Sequence, residues 1–409
     1  MNASDLPLAG IRVVELTHMV MGPTCGMILA DLGAEVIKVE PLEGDNTRRL
    51  RGSGAGFYAM FNRNKRSLAI DLKQPEGLEA LHRLLASADV FSENFKTEAM
   101  ARLGLSPQAL RERYPQLICV SHKGFLPGPY EERTALDEVV QMMGGLAYMT
   151  GPPGRPLRAG TSVNDIMGGM FGAIGVMAAL MQRGRTGNGS TVRSALFENN
   201  VFLVAQHMMQ YAVTGQPAAP MPARISAWSV YDVFDTKDGE QIFLAAVSDT
   251  QWALLCQEFR WPDLASDTRL ASNNARAQER PWLLPVLRER FGAHTKVELA
   301  SRFERIGLPY APITRPQELF EDPHLQASGG LASVEVPADA SCAGHAVSTQ
   351  VPLLPLTLNE ARLPLRSGPP ALGADTQSIL ASLGYSAEAM EQLLKQGVIR
   401  GKESPDHPQ

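Results

Sequence analysis

A carboxylate placed just ahead of a glycine-rich stretch is the strongest chemical feature of this sequence. Asp165 follows Gly160-Thr161-Ser162-Val163-Asn164 and precedes Gly168, Gly169, Gly172 and Gly175. Two readings stand side by side. Asp165 can cap a helix N-terminus, where an Asp side chain accepts otherwise unpaired backbone N–H groups. It can equally serve as a nucleophile, because N–H groups at such a point hold developing negative charge.

Other residue types that do chemistry are spread along the chain. His18 stands in Leu16-Thr17-His18-Met19-Val20, just past an apolar run, where an α/β sheet would face a ligand. His122 follows another such run and reads as structural. Two basic groups, Arg48-Arg49-Leu50-Arg51 and Asn62-Arg63-Asn64-Lys65-Arg66, are either solvated turns or phosphate contacts, for which clustered Arg and Lys are suited. Neither GxGxxG after the first apolar run nor GxxxxGK[ST] is present, which removes the main support for a dehydrogenase or a kinase. The histidines suggest no metal ligand set. Cys25, Cys119, Cys256 and Cys342 are far apart and read as small buried apolar residues.

These residues need elements to position them. Ile11–Leu16, Glu35–Glu40, Ser67–Leu72, Asp89–Phe91 and Leu117–Ser121 have the pattern of buried strands, and helical spacing fills the stretches between several of them. Strand–helix alternation predicts an α/β domain with a doubly wound parallel sheet. A long apolar helix is expected from Asp165 to Gln182, with small residues that let another backbone approach closely. The Pro- and Ala-rich stretch Thr214–Ala223 marks a boundary. The expected layout is a large domain over 1–220, a small α+β domain over 221–330, a return to the large domain over 331–400, and a disordered tail over 401–409.

With 409 residues, 44% apolar and 20% charged, the chain can build a large core. Its net charge of −5 without a basic run argues against nucleic-acid and membrane-surface partners. No run of about 18 uninterrupted apolar residues occurs, and a cytoplasmic, reducing setting is expected.

Taken in order, several segments resemble family III CoA-transferases: Leu8–Leu16, Gly22-Pro23, Asp31–Glu40, Asn62–Ser67, Glu93-Asn94-Phe95, Asp165 with its glycines, Thr186–Gly189 and Gly307–Pro312. The resemblance implies a Rossmann-like large domain built from both chain ends, a smaller middle domain and an interlocked homodimer. It implies no permanently bound cofactor, with acyl-CoA and a small carboxylic acid as substrates. It makes Asp165 the nucleophile of an anhydride and an aspartyl-CoA thioester. Asn94, Phe95 and Arg102 would line the CoA pocket, with Lys73, Arg66 and Arg48 as further contacts. His18, Val20, Asp137, Arg133 and Arg158 would surround the substrate.

Departures from the family pattern narrow the expectation. Val20 replaces a Gln found in formyl-CoA:oxalate members, which argues against oxalate. Arg224–Val230 lacks the glycine run of a flexible lid. Leu136 stands before Asp137 where related racemases have a His-Asp pair, so a 2-methylacyl-CoA racemase is the second enzymatic reading, and a non-catalytic CoA-binding protein the third. The expected substrates are succinyl-CoA and a short dicarboxylic acid of the itaconate, mesaconate, citramalate or glutarate type.

Overall fold

The apolar run Arg12–Leu16 forms strand β1, buried along nearly all its length. It is a central strand of a seven-stranded sheet, where both faces are covered. The computed structural model describes residues 3–223 and 227–401. Residues 402–409 of the expected tail, and Arg224–Ser226 of the expected lid, lie outside them.

The chain divides into two compact units, 1–222 with 323–409 and 223–322. The first unit holds β1, β2 (Glu35–Glu40), β3 (Lys65–Ile70), β4 (Val90–Glu93), β5 (Ile118–Lys123) and β6 (Thr191–Ala195). Its helices before residue 222 include α1 (Met21–Asp31), α2 (Pro75–Ala86), α3 (Thr97–Arg102), α4 (Asp137–Met143), α5 (Val163–Thr186) and α6 (Leu196–Thr214). β1 to β6 run parallel in the order β3-β2-β1-β4-β5-β6, which is doubly wound. Register is set by apolar pairs such as Val13↔Val36 and Val13↔Val90.

Strand alternation divides the core. Val14, Ile37, Leu68 and Phe91 pack with Leu81 and Leu84 of α2. Val13, Val36, Val90 and Ile118 pack with Leu29 of α1 and Ala173 and Val176 of α5. The glycines of α5 permit close approach on that second face. A Cβ on Gly169 would stand 2.5 Å from Thr24 Cβ and 2.7 Å from the Met21 carbonyl oxygen. α5 is long and apolar enough by composition to cross a membrane. One side of it lies on α1, while Met170, Ile174 and Met181 on the other side are exposed.

The second unit, 223–322, has its own core. β7 (Val230–Asp235), β8 (Gln241–Ala246) and β9 (Tyr310–Pro312) form an antiparallel sheet in that order. Phe234, Leu255, Phe291 and Phe303 are fully buried beside it.

The chain then rejoins the first unit at Pro323, earlier than the expected 331. The hairpin β10 (Leu331–Val336) and β11 (Val347–Pro352) follows, and β12 (Ile399–Arg400) adds to the edge of β3 as the antiparallel strand of the large sheet.

Neither reading of Asn62–Arg66 as a solvated turn or a phosphate contact holds for its two most buried cations. Arg63 is fully buried against Asp31 at 2.7 Å, and Lys65 against Glu15 at 2.8 Å. Lys38 joins them, 3.0 Å from Asp45. Desolvation is offset only by closely matched partners, so these side chains are consumed by the fold. Cys342 departs from the expected buried set: it is exposed, whereas Cys25, Cys119 and Cys256 are buried.

Candidate active site

α5 begins at Val163, and the residue before it, Ser162, makes no side-chain cap. The cap comes from elsewhere. Asp137, the first residue of α4, is buried and accepts the backbone N–H groups of Asn164 at 2.8 Å and Asp165 at 3.1 Å through Oδ2. Its Oδ1 accepts from Gln141 Nε2. Gln141 Oε1 in turn accepts the Ala159 N–H at 2.7 Å, which fixes the approach to the helix.

With the cap supplied by Asp137, the Asp165 carboxylate is released from the capping role. It has no hydrogen-bond partner among the described residues, and it is partly exposed. Burial raises its pKa from the usual 3.8 to about 7, and the charges of Asp137 and Glu138 push in the same direction. A carboxylate with raised basicity and free lone pairs is a competent nucleophile.

The turn after β1 reaches the same place. Val20 is buried in one apolar cluster with Met27, Phe61 and Ile166, the residue next to Asp165. Before it, the His18 N–H donates to Asn94 Oδ1 at 3.0 Å, and Asn94 Nδ2 donates to the His18 carbonyl at 2.8 Å. The His18 ring meets Phe95 edge-on, centroids 5.0 Å apart. Burial lowers the His18 pKa. Met19 adopts a left-handed φ of +62°, uncommon for a side chain of its size, with its N–H held by Thr47 Oγ1 at 2.9 Å. The sequence offered no sign of Thr47. The separation Asp137-x-x-x-Gln141, one helical turn, was a signal for the contact between those two side chains, though not for the cap that Asp137 makes.

Asp165, His18, Val20, Asn94, Phe95 and Asp137 therefore belong to the carboxyl end of the parallel strands, where open α/β sheets bind ligands. Lys73 and Arg102 are exposed, beyond β3 and at the end of α3. Arg133 is exposed over the Tyr130 ring at 4.9 Å, and Arg158 is paired with Glu138. Two other arginines are engaged in the fold. Arg66, at the opposite end of β3, bonds Glu35 and Asp375. Arg48 is buried against Glu40 at 2.7 Å and also bonds Asp339. Leu136 is exposed and offers no acid or base. His122 is buried, its Nε2 3.1 Å from Ser92 Oγ, and burial lowers its pKa to about 3. Among the described residues, no group of three or more His, Cys, Asp or Glu is placed to hold a metal ion.

Residues 8–376 match the profile of CoA-transferase family III. A succinate–glutarate CoA-transferase of Agrobacterium fabrum is 35% identical over 92% of this chain and 96% of its own length. A succinyl-CoA–D-citramalate CoA-transferase of Chloroflexus aurantiacus is 33% identical over 81% of this chain and 84% of its own. The crystal structure of a CAIB/BAIF family protein from Brucella suis superposes with a TM-score of 0.82 at 34% identity, covering 92% of this chain and 99% of that one.

Proposed function

Because the chain belongs to CoA-transferase family III, we propose that it carries CoA from succinyl-CoA to a short dicarboxylic acid, with Asp165 as the nucleophile. The observation that carries this reading is the Asp165 carboxylate itself. It stands in the first turn of α5 without a hydrogen-bond partner among the described residues, because Asp137 has taken the capping duty.

The Asp165 carboxylate attacks the thioester carbonyl and CoA leaves as its thiolate, giving a mixed anhydride. The thiolate attacks the aspartyl carbonyl and expels the donor acid, leaving an aspartyl-CoA thioester. The acceptor carboxylate attacks the same carbonyl and releases the thiolate again. The thiolate then takes the acyl group of the new anhydride, which frees Asp165. An activated acyl bond is kept throughout, provided water is excluded. Asn94, Phe95, Lys73 and Arg102 would hold CoA.

The relatives named for glutarate and citramalate favour a dicarboxylic acceptor. The second carboxylate of such an acid requires a cation or several donors if it is to be buried. Arg133, which has no carboxylate partner among the described residues, is the proposed cation. Val20 gives an apolar wall suited to a methylene or methyl branch.

A second copy of the chain would cover the exposed apolar side of α5 and α6, which carries Met170, Ile174, Met181, Phe202, Met209 and Val213. Sedimentation of the full chain tests that dimer.

The decisive experiment crosses acyl-CoA donors with succinate, glutarate, citramalate, mesaconate, itaconate, oxalate and butyrate, and reads the acyl-CoA products by mass spectrometry. Dicarboxylates of four or five carbons in the main chain should lead. Equal kcat/KM for butyrate would remove the second-carboxylate site, and transfer surviving in Asp165→Ala would remove the nucleophile.

A further inference from the structure

Both peptide planes that flank His18 are held at both ends. In the plane between Thr17 and His18, Lys38 Nζ donates to the Thr17 carbonyl at 2.7 Å and the His18 N–H donates to Asn94 Oδ1 at 3.0 Å. In the plane between His18 and Met19, Asn94 Nδ2 donates to the His18 carbonyl at 2.8 Å and the Met19 N–H donates to Thr47 Oγ1 at 2.9 Å. Each plane is rigid, so fixing its two ends sets φ and ψ of His18 from outside the turn.

Asn94 holds one end of each plane from the β4 side. The other ends are held by three residues that are bonded to one another: Lys38 of β2, and Asp45 and Thr47 of the stretch that follows it. Lys38 Nζ is 3.0 Å from Asp45 Oδ2. Asp45 Oδ1 accepts the Thr47 hydroxyl at 2.7 Å and the Thr47 N–H at 2.8 Å. The hydroxyl thus gives its proton to Asp45 and a lone pair to Met19. All three side chains are buried. The contacts run in a loop from the Thr17 carbonyl through Lys38, Asp45 and Thr47 to the Met19 N–H, with His18 between the two ends.

The backbone held in this way is not relaxed. Met19 has its left-handed φ of +62° and is 40% exposed, so burial of its side chain does not offset the strain. Such a conformation persists where the surroundings over-determine it, and such positions cluster at ligand-binding sites. This one lies at the carboxyl end of β1, beside the Val20 that packs with Ile166.

We propose that Lys38, Asp45 and Thr47 are positioning residues for the acyl-CoA substrate, which fix the turn at His18 and Met19 in its binding conformation before the substrate arrives. The three act through the backbone of the turn and need no contact with the substrate. A turn ordered in advance has no ordering cost to meet on binding, so its loss raises KM and leaves kcat in place. The inference rests on the transferase reading for its substrate, while the hydrogen bonds of the clamp can be tested without it.

Thr47→Val in the full chain keeps the size of the side chain and removes the hydroxyl. The KM for succinyl-CoA should rise roughly three- to tenfold with kcat unchanged, and Thr47→Ser should restore it. CoA affinity measured by titration calorimetry should follow the same order. In the wild type, hydrogen exchange at the His18 and Met19 amides should already be slow without CoA and no slower with it, a measurement that needs no variant. Equal KM and CoA affinity in all three proteins, a lower Tm and kcat in Thr47→Val with KM unmoved, or protection that appears only with CoA would each overturn the clamp. Absence of transfer in the wild type would overturn the transferase reading alone, and calorimetry and exchange would then decide the clamp.

Discussion

The Asp137 carboxylate accepts the backbone N–H of Asp165 at 3.1 Å, so two acidic side chains share one helix start with divided roles. One is buried and fully bonded. The other is left with unused lone pairs and a raised pKa. The arrangement makes Asp165 sensitive to pH in both activity and stability.

The folded chain holds Asp165 at a pKa of about 7, against the usual 3.8. Between those values the folded state binds a proton that the unfolded state has lost, so this group's contribution to stability falls as pH rises from about 4 to about 7. Asp165→Asn should therefore match the wild type in denaturant unfolding at pH 4 and exceed it at pH 8 by roughly 1–2 kcal/mol, after allowance for solvent screening. Equal stability at both pH values would contradict the raised pKa.

In the proposed mechanism acylation requires the carboxylate form, so its single-turnover rate with succinyl-CoA should rise with pH through about 7. Asp137→Asn removes one of the negative charges behind the shift and should move the midpoint lower, while Glu138 remains paired with Arg158. Rapid-quench measurement across pH 5–9 (roughly two units either side of the midpoint) reads this directly; an unmoved midpoint would remove Asp137 as a cause and leave burial and Glu138.

Asn94 bridges β4 to the turn at His18 with two hydrogen bonds. Asn94→Ala should cost about 1–2 kcal/mol of stability and raise the KM for acyl-CoA more than it lowers kcat. A fall in kcat alone would place Asn94 in the chemistry instead of in CoA binding.

Lys65→Met should be among the most damaging single changes in the first unit. It leaves Glu15 buried with Lys38 alone, 4.0 Å away. The expected loss is about 3–5 kcal/mol, and replacing Glu15 by Gln in the same chain should recover part of it. Thermal unfolding of the two variants provides the comparison.

Much of the sheet was legible because its strands are short runs rich in Val, Ile and Leu separated by helical spacing, as with Arg12–Leu16 and Glu35–Glu40. The start of the helix at Asp165 was legible through its glycines, while the identity of the cap was not. Capping by Asp137 is a contact between residues far apart in sequence, and local pattern does not report such contacts. The same holds for Arg63 and Lys65. A short basic group reads as solvated unless Asp31 and Glu15 are known to face it. Arg66 and Arg48 looked like phosphate contacts for the same reason, and their guanidinium groups bond carboxylates within the fold.

The last strand, β12, pairs Ile399 with Ile70 of β3. On a ribosome, β3 emerges long before its neighbour exists, and the residues of 223–322 are made in between. The edge of β3 stays bare until Ile399 has been made, an interval in which such edges recruit other chains. Chains cut short anywhere before Ile399 lack that pairing, so truncated products should aggregate more readily than the full chain.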